Sequence, residues 1–359
     1  MSTRADELAE LHDELSAVAR DVLSTRSSGA AVDWHLIAGS GWLGLEVPAS
    51  HDGADATFAE VSVVLREMGR AAASGPYPAV AGLAVGALGT VEPGDRWDRL
   101  LRQTVSGDVV PVLALDADHP DGSDFHLDGT AGGLVLGGDA DFVLGAPDAD
   151  RLLVPAITSA GETVIVDVDP RVDGLNVQAR PVVDATRTFG RVTAADVRVD
   201  DDSVWRYRDG VDAAVLLCDR AATAVACDSL GLAEAMLETT VAYAGVREQF
   251  GRKIGSFQAV KHACADMLVD VTVARTLVGS AVRQVSDGSP GSSVAAAMAA
   301  SFTGEMAVRI AGKSMQLHGG MGYTWESGIH VYLKRATLNR TLYGSPARHR
   351  ARIAQRYRS

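Results

Sequence analysis

Gln316-Leu317-His318-Gly319-Gly320-Met321-Gly322-Tyr323 is the stretch on which the reading of this chain turns. It closes an alanine-rich helical pattern that runs from Ser292 to Leu317. Glycines at 319 and 320 can take left-handed backbone conformations without steric penalty and leave amides open to a ligand. A polar side chain just before such a break can meet a phosphate or a ribose. By itself the pattern says only that a helix ends, because glycine is the usual residue past a helix C-terminus.

A second stretch changes its meaning. Arg247-Glu248-Gln249-Phe250-Gly251 is followed at once by Arg252-Lys253-Ile254-Gly255-Ser256-Phe257-Gln258. Taken with Gln316, His318-Gly319-Gly320 and Gly322-Tyr323, in this order and at this separation, the set resembles the acyl-CoA dehydrogenase family of flavoproteins. Gly41-Trp42-Leu43-Gly44-Leu45 with Val47-Pro48, the run Leu65-Arg66-Glu67-Met68-Gly69-Arg70, and Asp184-Ala185-Thr186-Arg187 add to the likeness. It spans nearly the whole chain and is poorest between residues 108 and 160. The resemblance implies that Arg247, Phe250, Gln258, Gln316, Gly319 and Gly320 hold the adenosine and pyrophosphate end of an FAD. The flavin ring of that FAD would sit in a neighbouring subunit.

Working outward, 359 residues are enough for two or three domains and a large core. Apolar residues make up 47% and charged ones 22%, ordinary for a globular protein. A formal charge of −13 argues against a nucleic-acid partner or an anionic membrane surface, both of which call for a basic face. Local clusters such as Arg247 with Arg252 and Lys253 remain able to meet a phosphate. The three cysteines, Cys218, Cys227 and Cys264, sit in apolar helical patterns without Cys-x-x-Cys spacing and read as buried free thiols in a reducing cytoplasm. Nine scattered histidines give no metal-ligand spacing, so no metal is expected. The N-terminus is polar and no apolar run of about 18 residues is apparent, so the expectation is a soluble cytoplasmic protein.

The periodicity predicts an N-terminal helical domain over residues 1–107, with Leu8, Leu11, Leu15, Val18 and Val22 on one face of the first helix and Ser2 or Thr3 as its cap. A Ser-Ser-Gly break falls at residues 27–29. Residues 108–209 show β-branched runs (Val109 to Leu115, Leu134 to Leu136, Arg151 to Pro155, Thr163 to Val168, Val192 to Val199) parted by Gly, Pro and Asp, as in an antiparallel β domain. Residues 210–359 return to helices over Val211 to Arg247, Ser256 to Ser286, Ser292 to Leu317 and onward from Ile329. Broad alanine-rich faces suit a four-helix bundle and an oligomer interface. Helix, sheet and helix make an α+β protein, and the same order is the three-domain arrangement of the resembled family.

The resemblance implies dehydrogenation between the α and β carbons of an acyl-CoA thioester, with a carboxylate taking the α proton and the β hydrogen leaving as hydride. A glutamate whose pKa rises on burial suits that task. Counted without gaps from Gly319-Gly320, its usual position falls on Tyr343, and a phenol with a pKa of about 10 is a poor base at neutral pH. Some relatives place the glutamate near the start of the long helix before Arg-x-x-Phe-Gly. There Asp219-Arg220 is the nearby acidic-basic pair, but the count lands on Ala221, and two residues are roughly 200° around a helix. Asp219 therefore reads as a helix-surface aspartate paired locally, with a role as base kept open.

The family's flavin-ring segments are also worn. Leu115 to Asp124 retains only Gly122-Ser123-Asp124, and Gly137 to Val143 carries no tryptophan. These losses fit a subfamily of sterol side-chain degradation in which two different subunits form an α2β2 assembly with two flavins. One chain supplies the base and the other the adenosine-side contacts, and this sequence resembles the second. The implied partners are a homologous acyl-CoA dehydrogenase subunit, an acyl-CoA substrate and an electron-transfer flavoprotein as acceptor. The competing readings are a homotetramer using Asp219 and a catalytically inert scaffold. His318 reads as a cap on helix carbonyls, and Glu248 and Glu326 as residues that orient neighbouring arginines.

Overall fold

The structure, a computed structural model, describes residues 3–24, 28–120, 124–130, 133–208 and 213–356. The N-terminal helices are α1 (Thr3–Ser24), α2 (Trp34–Gly39), α3 (Phe58–Arg70), α4 (Tyr77–Ala79), α5 (Val85–Leu88) and α6 (Asp95–Ser106). Strands follow as β1 (Pro111–Leu113), β2 (His126–Thr130), β3 (Gly133–Leu144), β4 (Arg151–Thr158), β5 (Thr163–Val168), β6 (Leu175–Arg180), β7 (Phe189–Val199) and β8 (Val204–Arg206). Then come α7 (Ala213–Val246), the short strands β9 (Glu248–Gln249) and β10 (Arg252–Lys253), α8 (Gln258–Ser286), α9 (Ser292–His318), α10 (Ile329–Asn339) and α11 (Pro346–Arg356). The helix, sheet and helix order of the sequence reading is present.

Contacts divide the chain into two units, one of residues 32–61 and 75–221, the other of residues 1–31, 62–74 and 222–359. The first unit carries the sheet, in the order β6-β7-β3-β2-β4-β5-β8 with β1 beside β4. Its pairings are antiparallel except β1 with β4 and β2 with β4, which run parallel. β4 and β5 are continuous apolar runs because both faces are covered; Leu152, Leu153, Val154, Ile165 and Val166 are fully buried. The sequence reading missed β2, whose buried residue is Leu127 alone, and β6, whose Leu-Asn-Val-Gln-Ala-Arg pattern is half polar at an edge. Also in this unit, Trp42 is buried and meets the ring of Tyr77 edge-on at 6.2 Å.

The second unit is helical. Its α3 and α7 touch backbone to backbone: a Cβ on Gly69 would lie 2.0 Å from the Asp228 carbonyl oxygen, and one on Gly231 would lie 1.8 Å from that of Arg66. No side chain fits at either crossing. α8, α10 and α11 all pack on α9, and α7 joins it where the Thr240 hydroxyl donates to Ser314 Oγ at 2.7 Å. Arg335, wholly buried, donates to both Asp228 oxygens at 2.6 and 3.0 Å and to the Ala73 carbonyl at 2.8 Å. Asn339 adds a further bond to Asp228 at 2.7 Å.

Three local expectations are revised. Thr3 is the first residue of α1 and not its cap, while Ser2 lies outside the described residues, as does Ser27 of the break. The last helical stretch is two helices, parted where Tyr343 and Gly344 both take positive φ, 54° and 120°. By length and composition Ser292–Tyr323 could cross a membrane, although the sequence reading finds no such run; 61% of its most apolar window is packed inside the fold, as a core helix is.

Candidate functional site

The segment after α7 is a two-residue β-hairpin. Gln249 pairs with Arg252 and Glu248 with Lys253, and the loop residues Phe250 and Gly251 have φ of 55° and 74°. Two left-handed residues in succession define the turn type that matches strand twist, and glycine meets that demand easily. Phe250 does not: an aromatic side chain in this region is strained by about 1–2 kcal/mol. Its ring is also 93% exposed. What steadies it is Phe257, whose ring it meets edge-on at 6.2 Å and over which the Arg252 guanidinium lies at 4.0 Å. The hairpin base is closed by the Arg247 carbonyl accepting from Ile254 N–H at 2.8 Å. Arg247, Arg252, Lys253 and Gln258 are all exposed, so the hairpin presents its cations to solvent.

The glycine turn ending α9 gives each glycine a different reason. Gly319 has φ of 61° and ψ of −137°, a backbone that L side chains rarely adopt. A Cβ on Gly322 would come within 2.4 Å of the Met315 carbonyl oxygen. Gly320 has neither constraint: its φ is not positive, and nothing lies within 4 Å of a Cβ there. Neither a positive φ nor a close neighbour within the described residues requires glycine at 320. Gln316, one turn back, is exposed and accepts from Lys313 Nζ at 3.2 Å.

The two segments are joined by a contact the sequence reading did not include. Tyr243 stands one helical turn before Arg247, and its ring stacks on His318 at 4.3 Å and 24°. Its hydroxyl donates to the His318 carbonyl at 3.4 Å, and the His318 ring Nδ1 bonds the Ser314 carbonyl at 2.8 Å. His318 is thus a buried cap on its own helix, as its position suggested. The i, i+4 spacing of Tyr243 and Arg247 was the available signal. One acidic neighbour differs from expectation: hydrogen bonding, chiefly from its own backbone N–H, holds the Glu326 carboxyl below the usual range. That corrects its assignment to an arginine.

Of the catalytic candidates, Asp219 belongs to the sheet-bearing unit and has no exposed surface, which overturns the surface reading. Arg220 is committed to Glu46 through both of its terminal nitrogens, to the carbonyls of Gly82 and Ala81 at 2.7 and 3.0 Å, and to the face of Phe58 at 4.3 Å. Tyr343, in the position usual for the base, is itself buried.

The two segments expected to meet a flavin ring make contacts within the chain. Asp116 accepts from the amides of Asp118, His119 and Asp141 at 2.8, 3.1 and 2.9 Å. Gly122 and Ser123 lie outside the described residues. Phe142 stacks on Phe189 at 4.1 Å and 9°. A cavity of about 140 Å³ opens beside the first segment, lined by Leu115, Phe125, Pro155, Ile157, Tyr207 and Leu217 among others. That is well below the roughly 300 Å³ at which cofactor-sized pockets begin.

Comparison with known proteins gives two family matches: the acyl-CoA dehydrogenase N-terminal domain over residues 5–107 and the acyl-CoA dehydrogenase C-terminal domain over residues 208–357. Acyl-CoA dehydrogenase IpdE2 of Mycolicibacterium smegmatis is 30% identical over 317 residues, covering 87% of this chain and 84% of the relative. Acyl-CoA dehydrogenase FadE34 of Mycobacterium tuberculosis is 34% identical over 328 residues; the match covers 89% of this chain and 42% of that longer relative, less than half of its length. Among solved structures, the ChsE4-ChsE5 complex from Mycobacterium tuberculosis aligns with a TM-score of 0.87 and 26% identity over 97% of each chain.

Proposed function

Because the chain belongs to the acyl-CoA dehydrogenase family, oxidoreductases acting on CH–CH groups, we propose that it is one subunit of a heteromeric, FAD-dependent acyl-CoA dehydrogenase. Its catalytic carboxylate belongs to a homologous partner chain in an α2β2 assembly. The acceptor is an electron-transfer flavoprotein, the location cytoplasmic, and the domain limits are 1–107, 108–209 and 210–359.

The observation that carries this reading is the outward presentation of the adenosine-side residues. Phe250 stays strained and in water, and Gly320 keeps an open backbone that nothing within the chain requires. These features fit a cofactor arriving from outside the subunit. Arg247, Phe250, Gln258, Gln316, Gly319 and Gly320 would hold its adenosine and pyrophosphate end. The cations of the hairpin would neutralise phosphate charge, the open backbone at Gly320 would let a phosphate approach closely while the Gly319 N–H is given to the Gln316 carbonyl, and the Phe250 ring would exclude water from one side. Bound FAD supplies the two-electron acceptor for the hydrogen on the β carbon of the acyl-CoA. This chain contributes no base: Tyr343 is a buried phenol, and Asp219 is sealed from solvent. The small cavity beside residues 115–125 and the internal stacking of Phe142 support the view that its own β domain does not receive a flavin ring.

The test is the visible spectrum and native mass of the chain purified alone and after co-expression with a homologous chain. A colourless preparation that becomes yellow and tetrameric only with the partner is expected. A yellow homotetramer with one flavin per chain refutes the shared site. In the co-expressed enzyme Asp219→Asn leaves turnover of acyl-CoA within twofold, whereas abolished turnover in a folded complex would assign the base to this chain.

A further inference from the structure

Between the glycine turn and α10, Trp325 stands with 78% of its surface exposed. Leaving a large indole in water forgoes burial free energy. Nor is the loop loose. The Trp325 carbonyl accepts from Gly328 N–H at 3.2 Å, and the Met321 carbonyl from Thr324 N–H at 3.0 Å. Ser327 Oγ donates to the Thr324 carbonyl at 3.0 Å and accepts from Ile329 N–H at 3.3 Å. The indole is oriented as well: His330 meets it edge-on at 4.5 Å and 79°, and Lys334 Nζ lies 5.5 Å from its ring centroid. The next residue, Glu326, is an exposed carboxylate.

A rigidly held, exposed indole is a platform for a flat heterocycle. A neighbouring carboxylate accepts from vicinal hydroxyls, as acidic residues do for ribose in dinucleotide sites. A lysine and the open backbone at Gly320, close by in sequence, suit phosphate. A flat heterocycle, a diol and two phosphates together describe an adenosine diphosphate moiety. We propose that Trp325 and Glu326 form the adenosine subsite beside the glycine turn, with adenine stacked on the indole and the ribose hydroxyls on the carboxylate. This rests on the reading that Gly319-Gly320 takes the pyrophosphate of FAD. It adds the residues that recognise the base and sugar.

The experiment measures ADP binding to the full-length chain, alone and in the co-expressed complex stripped of flavin, by equilibrium dialysis and by tryptophan emission. Inorganic pyrophosphate serves as the competitor without adenosine. ADP should quench emission saturably, Trp325→Phe should remove that quench, and pyrophosphate should displace ADP without quenching. Trp325→Leu, which keeps apolar bulk but not the ring, should weaken ADP about tenfold or more while leaving the melting temperature unchanged. Glu326→Gln should weaken ADP several-fold and leave pyrophosphate binding unchanged. Trp325→Leu binding ADP like the parent overturns the subsite. If Arg247→Ala still weakens ADP in that case, the glycine-turn reading survives alone. If neither Arg247→Ala nor Trp325→Leu changes ADP binding, both fall.

Discussion

Gly320→Ala separates what the fold needs from what a ligand needs. The residue has a φ that alanine tolerates, and a Cβ would meet nothing within 4 Å. Alanine also narrows the unfolded ensemble, so stability should stay unchanged or rise by about 0.4–1 kcal/mol. Cofactor binding should respond in the opposite direction. A methyl group on the face that approaches the pyrophosphate holds a phosphate oxygen off the backbone amide. One hydrogen bond to a charged group contributes about 1.5–3 kcal/mol, which corresponds to a loss of roughly 10- to 150-fold in FAD affinity. The assay is flavin retained per complex after dialysis, alongside a urea melt of the same preparation. Gly322→Ala serves as the contrast, because its Cβ would lie 2.4 Å from the Met315 carbonyl oxygen and the fold itself should suffer. A Gly320→Ala complex that melts like the parent and keeps all of its flavin would refute the placement of the pyrophosphate on this turn.

Removing Asp228 as Asp228→Ala strands the wholly buried Arg335 guanidinium and should cost about 3–5 kcal/mol in urea unfolding. The paired replacement Asp228→Leu with Arg335→Met should cost less than the sum of the singles, and a loss below about 1 kcal/mol for Asp228→Ala would contradict the network. Gly231→Ala gains about 1 kcal/mol of helix propensity, yet its Cβ would lie 1.8 Å from the Arg66 carbonyl oxygen. Net destabilisation by about 1–3 kcal/mol is therefore expected, and a higher melting temperature would show that the helix crossing is looser than described. Burial pushes the Cys227 thiol up to about 12, so the folded state holds its proton more tightly than the unfolded chain. That contribution is intact below the unfolded pKa of about 9 and is lost as pH rises towards 12. Alkylation at pH 8 followed by peptide mass mapping should find Cys227 unmodified until the protein is unfolded, and rapid labelling in the native state would contradict it.

Much of this structure was legible because its signals are local. The turn after α9 follows from two adjacent glycines, whereas the hairpin at Phe250-Gly251 was not read, because an aromatic residue is not expected at a left-handed turn position. The Asp287 to Gly291 connection between α8 and α9 follows from its proline and glycines. What escaped depends on partners distant in sequence. Glu46 and Arg220 are 174 residues apart, and Asp228 and Arg335 are 107 apart, so no window of periodicity joins them. Asp219 was read as surface because charge normally stays in water, yet it has no exposed area. β6 alternates Leu175, Val177 and Ala179 with Asn176, Gln178 and Arg180, a half-buried strand pattern, and it escaped a reading built on β-branched runs because Val177 is its one β-branched residue. In the candidate site, the distinct reasons for Gly319, Gly320 and Gly322 required backbone angles and distances.

The strained loop residue of the hairpin also bears on history. A lineage shaped only by its own folding would drift at position 250 towards glycine or asparagine, which enter the left-handed region freely. Phe250 instead holds its ring in water at a left-handed position, so Phe250→Gly should relieve strain within the chain itself. Were the hairpin freed of any ligand, position 250 is where the chain's own folding would favour change.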